Sequence, residues 1–187
     1  KTLYQAWLKV KVNKGGVGTD YQSLEGFERN LEQNLHKLQE GLRTGSYRPR
    51  PIRRVYIEKP GSLDKRPLGI PCVRDRVVQA ALRLVVEPIF ERIFQPGSYG
   101  FRPRRGCKDA LREVDRLLKA GYIWVVDADI DSYFDSILHE PLLKEVERHI
   151  GDGRMLGLLE MFLKQGIMEG LAQWSPEKGT TQGAVIS

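Results

Sequence analysis

The residues best suited to chemistry are four aspartates, Asp127, Asp129, Asp131 and Asp135, in the run Val-Val-Asp-Ala-Asp-Ile-Asp-Ser-Tyr-Phe-Asp. Side chains on a strand repeat every two residues, so Asp127, Asp129 and Asp131 would share one face for as long as a strand lasts. Carboxylates crowded on one face repel unless cations or donors neutralise them. A hard divalent cation such as Mg²⁺ takes oxygen ligands, commonly one or two carboxylates with substrate phosphates. A capped turn with solvated acids fits the same spacing, and spacing alone leaves both readings open. No Gly-containing twelve-residue ligand pattern follows, which argues against a Ca²⁺ loop. His36, His139 and His149 have no metal-ligand spacing with each other or with cysteine, which argues against zinc.

A second chemical feature is cationic. The 187 residues carry 30 Lys+Arg against 24 Asp+Glu, a net charge of +6. From Arg43 to Arg76 there are ten basic residues and three acids, which leaves 20 against 21 for the rest. One segment therefore holds the whole imbalance. Such a stripe attracts polyanions, and a solvated surface is its plain alternative. Cys72 and Cys107, far apart in a basic chain, suggest free thiols and a reducing cytosol. No apolar run approaches the roughly 18 residues of a membrane span, so no membrane partner is expected. Lys1–Lys14 is amphipathic and unlike a signal peptide. The chain does not start with Met, so its start is expected to have been cut.

The elements that must position these groups follow from pattern. Tyr21–Leu42 repeats Leu24, Phe27, Leu31, Leu35 and Leu38 at helical spacing, with Ser23 as a cap. Ile52–Ile57 alternates and is β-branched; Arg66–Ile70 reads as a second strand, and the pair makes a basic hairpin. Cys72–Phe90 is a helix with a broad apolar face, ended or kinked near Pro88. Asp109–Leu118 is an amphipathic helix with Ala110, Leu111, Val114, Leu117 and Leu118 facing inward. Tyr122–Ile130 is a continuous apolar run, the pattern of a strand covered on both faces. Helices over Pro141–Ile150 and Met155–Leu163 follow, then a strand or hairpin over Ile167–Trp174 and a Gly/Thr-rich loop over Gly179–Ser187. Helices and strands interleave without regular βαβ alternation, so the class is α+β.

Taken in order, these segments resemble the reverse transcriptases encoded by group II introns. Trp124–His139 resembles motif A. Asn13–Asp20 with the following helix resembles the N-terminal extension. Tyr47–Ile57 with Arg66-Pro67-Leu68-Gly69-Ile70-Pro71 resembles the first fingers motif. Asp75-Arg76-Val77-Val78-Gln79 and Ser98-Tyr99-Gly100-Phe101-Arg102-Pro103 resemble the second, and Gly179-Thr180-Thr181-Gln182-Gly183 resembles motif B. The likeness covers nearly the whole chain.

The resemblance implies a right-hand polymerase, with an N-terminal extension (1–46), fingers (47–120) and part of a palm (121–187), helix-rich with short antiparallel strands. It implies RNA-directed DNA synthesis with two Mg²⁺ ions. Asp129 matches the catalytic motif A ligand, and the backbone carbonyl of Ile130 a second metal ligand; Asp127, Asp131 and Asp135 match no catalytic role. Phe134 matches the steric gate under the sugar. Lys59 and Arg66 match the fingers cations that meet the triphosphate, with Lys65 competing for that place. Gln182 matches the motif B glutamine beside the incoming nucleotide. Thr181 departs from the pattern, standing where the family usually has proline, which puts the loop's rigidity in question. Arg48, Arg50, Arg53, Arg54, Arg102, Arg104 and Arg105 are expected on template backbone or intron RNA.

The implied partners are group II intron RNA, an RNA template with a DNA primer, and dNTP. Exposed apolar palm surface leaves room for a homodimer. The motif C carboxylate pair of the family does not occur in the sequence, so this piece alone is expected to be inactive in synthesis. A stand-alone RNA-binding maturase module, or a diversity-generating or CRISPR-associated reverse transcriptase, are the alternatives.

Overall fold

The computed structural model describes residues 1–58, 61, 63, 65–183 and 185. Two compact units are formed, one by Lys1–Val85 with Ser132–Ser187 and the other by Val86–Asp131.

The first unit begins with α1 (Thr2–Asn13), which buries Ala6, Trp7 and Val10 on one stripe. Trp7 packs against Phe27 with ring centroids 5.2 Å apart. The single helix expected over Tyr21–Leu42 is two helices. In α2 (Leu24–Glu28) the Ser23 hydroxyl caps Gly26 N–H at 3.0 Å. At Asn30 the backbone leaves helical geometry (φ −123°, ψ 38°), and α3 (Leu31–Thr44) starts afresh. Asn34 Nδ2 donates to Phe27 O across the break. Gly45, left-handed at φ 72°, closes α3.

The expected hairpin is present. β1 (Ile52–Glu58) and β2 (Lys65–Ile70) pair antiparallel, from Arg53 opposite Ile70 to Glu58 opposite Lys65. Pro67 is accommodated because β2 is an edge strand. α4 (Val73–Phe90) buries Val73, Val77, Val78, Ala80, Ala81 and Leu82, and Pro88 lies inside it rather than at its end. Among these apolar residues Asp75 is fully buried. Tyr47 Oη donates to its Oδ1 at 2.6 Å and Arg50 N–H to its Oδ2 at 3.0 Å. Burial pushes the Asp75 carboxyl above its ordinary value, against the opposing pull of the Tyr47 hydroxyl. Burial, then the neighbouring Asp75, pushes the Tyr47 phenol up.

The second unit, described by itself, contains the end of α4 and α5 (Cys107–Lys119). Two expectations fail here. No residue of α5 is buried, and Leu111, Val114 and Leu118 are exposed. Tyr122–Ile130 forms no strand, and Trp124 and Val126 are each 92% exposed. β-prone composition is not sufficient for a strand: its N–H and C=O groups need a neighbouring strand to pair with.

The first unit resumes with α6 (Tyr133–Ser136), α7 (His139–Glu147) and α8 (Gly153–Leu163), the last capped by Asp152 Oδ1 on Arg154 and Met155 N–H. β3 (Ile167–Glu169) and β4 (Ala172–Trp174) form the expected terminal hairpin. The sheet order is β2-β1-β3-β4. One junction departs from the antiparallel expectation: β1 and β3 run parallel, with Ile52 opposite Ile167. Among the described residues no helix is long and apolar enough to cross a membrane.

Candidate active site

Within the first unit, three of the expected nucleotide residues lie on elements tied together by the loop from Gly179 to Val185. The loop's near end is fixed by α6 and α7. Gly179 N–H donates to Ile137 O at 2.7 Å and Thr180 N–H to Phe134 O at 2.7 Å. The buried His139 ring meets Gly179 O through Nε2 at 2.7 Å. Phe134 is thus anchored through its own carbonyl, while the residue is 38% exposed and its ring meets Tyr133 edge-on at 5.7 Å.

The middle of the loop lies on β2. Gly69 N–H donates to Gln182 O at 2.9 Å, which fixes the backbone of Gln182 against the hairpin strand that carries Arg66. The approach requires glycine: a Cβ on Gly69 would lie 2.1 Å from Thr181 Cγ2 and 2.7 Å from Ile52 Cγ2. Gly183, at φ 94°, passes so close to Leu68 that a Cβ would lie 2.5 Å from Leu68 Cδ1. Arg66 is exposed and pairs with Ile57 across the hairpin. Lys59 lies outside the described residues. Lys65, its competitor, is exposed opposite Glu58.

The far end of the loop is held by α4. Val185 N–H donates to Gln79 Oε1 at 3.1 Å. Sequence reading gave no role to Gln79 or to His139. The available signal was a glutamine set among Val77, Val78, Ala80 and Ala81 in an apolar helix.

In the second unit, Asp129 is exposed and its Oδ1 accepts Ile130 N–H at 3.0 Å. Asp127 and Asp131 are exposed with it, without the strand that would align the three. Among the described residues no group of three or more His, Cys, Asp or Glu comes together to hold a metal ion. Asp129 offers one carboxylate.

The arginines divide by how their donors are used. Arg102 is a strut: its side chain is 6% exposed, and its guanidinium bonds both Glu91 oxygens and donates to Gln95 O and Ser98 O. The Arg102 hydrogen bonds hold the Glu91 carboxyl below its ordinary value. Arg105 donates to Pro96 O and lies over the Tyr99 ring, whereas Arg104 is exposed. In the first unit Arg53 Nε donates to Val17 O at 2.9 Å, and Arg54 lies over Trp174 at 4.9 Å. Arg48 and Arg50 are exposed; Arg50 pairs with Asp20 at 2.9 Å.

Residues 57–187 match the family described as reverse transcriptase (RNA-dependent DNA polymerase). The chain belongs to this family. Among its relatives is a group II intron-encoded protein, the type that the order of motifs implied. Group II intron-encoded protein LtrA of Lactococcus lactis subsp. cremoris is 37% identical over 186 residues, covering 98% of this chain and 30% of that protein. Protein YkfC of Escherichia coli (strain K12) is 43% identical over 194 residues, covering 97% of this chain and 50% of that protein. The chain thus spans half or less of these relatives. A chain of a partial Cas6-RT-Cas1–Cas2 complex superposes with a TM-score of 0.61 at 24% identity, over 98% of this chain and 30% of that one, which shows a shared fold.

Proposed function

We propose that this chain is the nucleotide-selecting part of an RNA-directed DNA polymerase of the group II intron type, comprising the N-terminal extension (1–46), the fingers (47–120) and part of the palm (121–187). The observation that carries the reading is the loop Gly179–Val185, which links Phe134 and Gln182 to the basic hairpin through backbone hydrogen bonds. Arg66, with Lys59, meets the triphosphate; the planar guanidinium suits paired phosphate oxygens. Phe134 lies under the sugar and disfavours a 2′-hydroxyl. Gln182 sits beside the incoming nucleotide.

Reverse transcriptases work with divalent metal ions. In this reading Asp129 and the Ile130 carbonyl supply ligands for Mg²⁺, and other carboxylates complete the site, because the 187 residues contain no Asp-Asp pair. Divalent ions held there would supply stabilisation of the negative charge that develops during nucleotidyl transfer. The chain alone therefore extends no primer. Arg48, Arg50, Arg54 and Arg104, which are exposed or half-exposed, contact template or intron RNA and serve a maturase role; Arg53 contributes through whatever donors Val17 leaves open. Arg102 drops out, because its donors are spent internally. The alternative of an RNA-binding maturase module without synthesis keeps the arginines and dispenses with Phe134 and Gln182.

The test is Asp129→Asn in the polymerase that contains this chain. Loss of primer extension with RNA binding retained is expected. Retained extension would refute the motif A assignment.

A further inference from the structure

We infer that Gln79 is a positioning residue for the loop that carries Gln182, acting through Val185 and braced by Gln165. The inference rests on the reading of Gln182 as a nucleotide-facing residue. Gln79 is 1% exposed, in the N-terminal half of α4, where Asp75 to Leu82 are all buried. An apolar residue would cost less there, because a buried amide must find partners for both its donor and its acceptor.

Its partners lead outward from the core in two directions. Oε1 accepts Val185 N–H at 3.1 Å. Nε2 donates to Gln165 Oε1 at 3.4 Å, and Gln165, itself 3% exposed, donates Nε2 to Arg50 O at 2.6 Å. The Arg50 carbonyl thereby sets which end of Gln165 faces Gln79, and Gln165 sets which end of Gln79 faces the loop. Two buried amides in series carry the geometry of the segment before β1 to the far end of the loop.

The loop needs this third attachment. It contains two left-handed glycines, Gly179 at φ 83° and Gly183 at φ 94°, and its described residues belong to no helix or strand. Attachment at Phe134 and Ile137 fixes its start, and Gly69 fixes Gln182 O. Without the bond at Val185, Gln182 is held through its carbonyl on Gly69 N–H alone, and its side chain is aimed less well. Methionine in place of Gln79 fills similar space with neither donor nor acceptor.

The experiment is hydrogen–deuterium exchange on this chain, with Gln79→Met and Gln165→Met. In Gln79→Met, exchange at Val185 and Gly69 rises about tenfold, the loss of one buried hydrogen bond of about 1.4 kcal/mol. Amides of β1 and α7 keep their rates. Gln165→Met leaves the acceptor on Gln79 and gives a smaller rise at the same two amides. Unchanged rates at Val185 and Gly69, or an equal rise across the whole first unit, would overturn the inference. If Gln79→Met does not fold, Gln165→Met decides by the same criterion.

In the polymerase that contains this chain, Gln79→Met raises KM for dNTP about tenfold and leaves kcat within about twofold. An equal fall of kcat at constant KM would overturn the positioning role. No dNTP-dependent synthesis by the unaltered polymerase, with the exchange effect intact, would remove the nucleotide reading and leave the positioning of the loop standing.

Discussion

Gly69→Ala adds one methyl group where β2 meets the loop. On this backbone the new Cβ falls 2.1 Å from Thr181 Cγ2, 2.7 Å from Ile52 Cγ2 and 3.5 Å from Thr181 Cβ. Carbon atoms pack best at about 3.5–4.0 Å, so something must move by an ångström or more. Ile52 is 1% exposed and paired with Ile167, so it has little room to yield. Thr181 is half-buried on a loop, and the loop gives way. Its movement strains or breaks the Gly69–Gln182 hydrogen bond. Overpacking costs about 1–3 kcal/mol and the bond about 0.5–1.5 kcal/mol. Without a clash, alanine in a strand would stabilise by about 0.5–1 kcal/mol, so the sign alone is informative. The net expectation is a loss of about 1–3 kcal/mol. Urea unfolding reads it as a lower midpoint at constant m. Thr181→Ser removes the Cγ2 in the way, so the double variant recovers at least about 1 kcal/mol of coupling. A neutral or stabilising Gly69→Ala, or strictly additive effects in the pair, would refute the packing argument.

Asp75→Ala leaves the Tyr47 hydroxyl and the Arg50 N–H without their acceptor, and is expected to destabilise by about 2–5 kcal/mol in the same unfolding assay. Because burial raises the Asp75 pKa, the folded state holds the proton more tightly than the unfolded chain. Stability attributable to this group therefore falls as pH rises from 3.8 through the folded pKa. Unfolding midpoints across acidic pH should show that segment flattened in Asp75→Asn. RNA binding should weaken with salt by a log–log slope of about −0.7 to −0.9 per phosphate contact, and a flat titration would count against the basic interface. Arg104→Ala should reduce that slope by about one unit, whereas Arg102→Ala should leave the slope alone and loosen residues 86–106 in hydrogen exchange.

Much of the fold was legible because it is local. The alternation in Ile52–Ile57, the second strand over Arg66–Ile70 and the broad apolar face of Cys72–Phe90 specify a hairpin and a buried helix from neighbouring residues alone. The break at Asn30 was hidden because the apolar spacing of Leu24 to Leu38 continues through it; the cap geometry, not the periodicity, ends the helix. Tyr122–Ile130 was misread because a covered strand is a property of its neighbours, and the composition of the run does not show whether any are present. At the site, Phe134, Gln182 and Arg66 were found by motif likeness. The hydrogen bonds that join their elements run through backbone groups of Phe134, Thr180, Gly69 and Gln182, which carry no side-chain signature. Arg102 looked like a free cation beside Arg104 and Arg105, and only the position of Glu91 makes it a strut.

Selection of the sugar tests the central claim most directly. In the polymerase that contains this chain, Phe134→Ala should open the space beneath the 2′ position. The ratio of rNTP to dNTP incorporation, as kcat/KM on an RNA template, should rise by about ten- to two-hundred-fold, the range that a contact of a few atoms supplies. The dNTP rate itself should change little. An unchanged ratio, with the folded state intact by unfolding midpoint, would contradict the placement of Phe134 against the incoming nucleotide and, with it, the reading of the Gly179–Val185 loop as part of a nucleotide site.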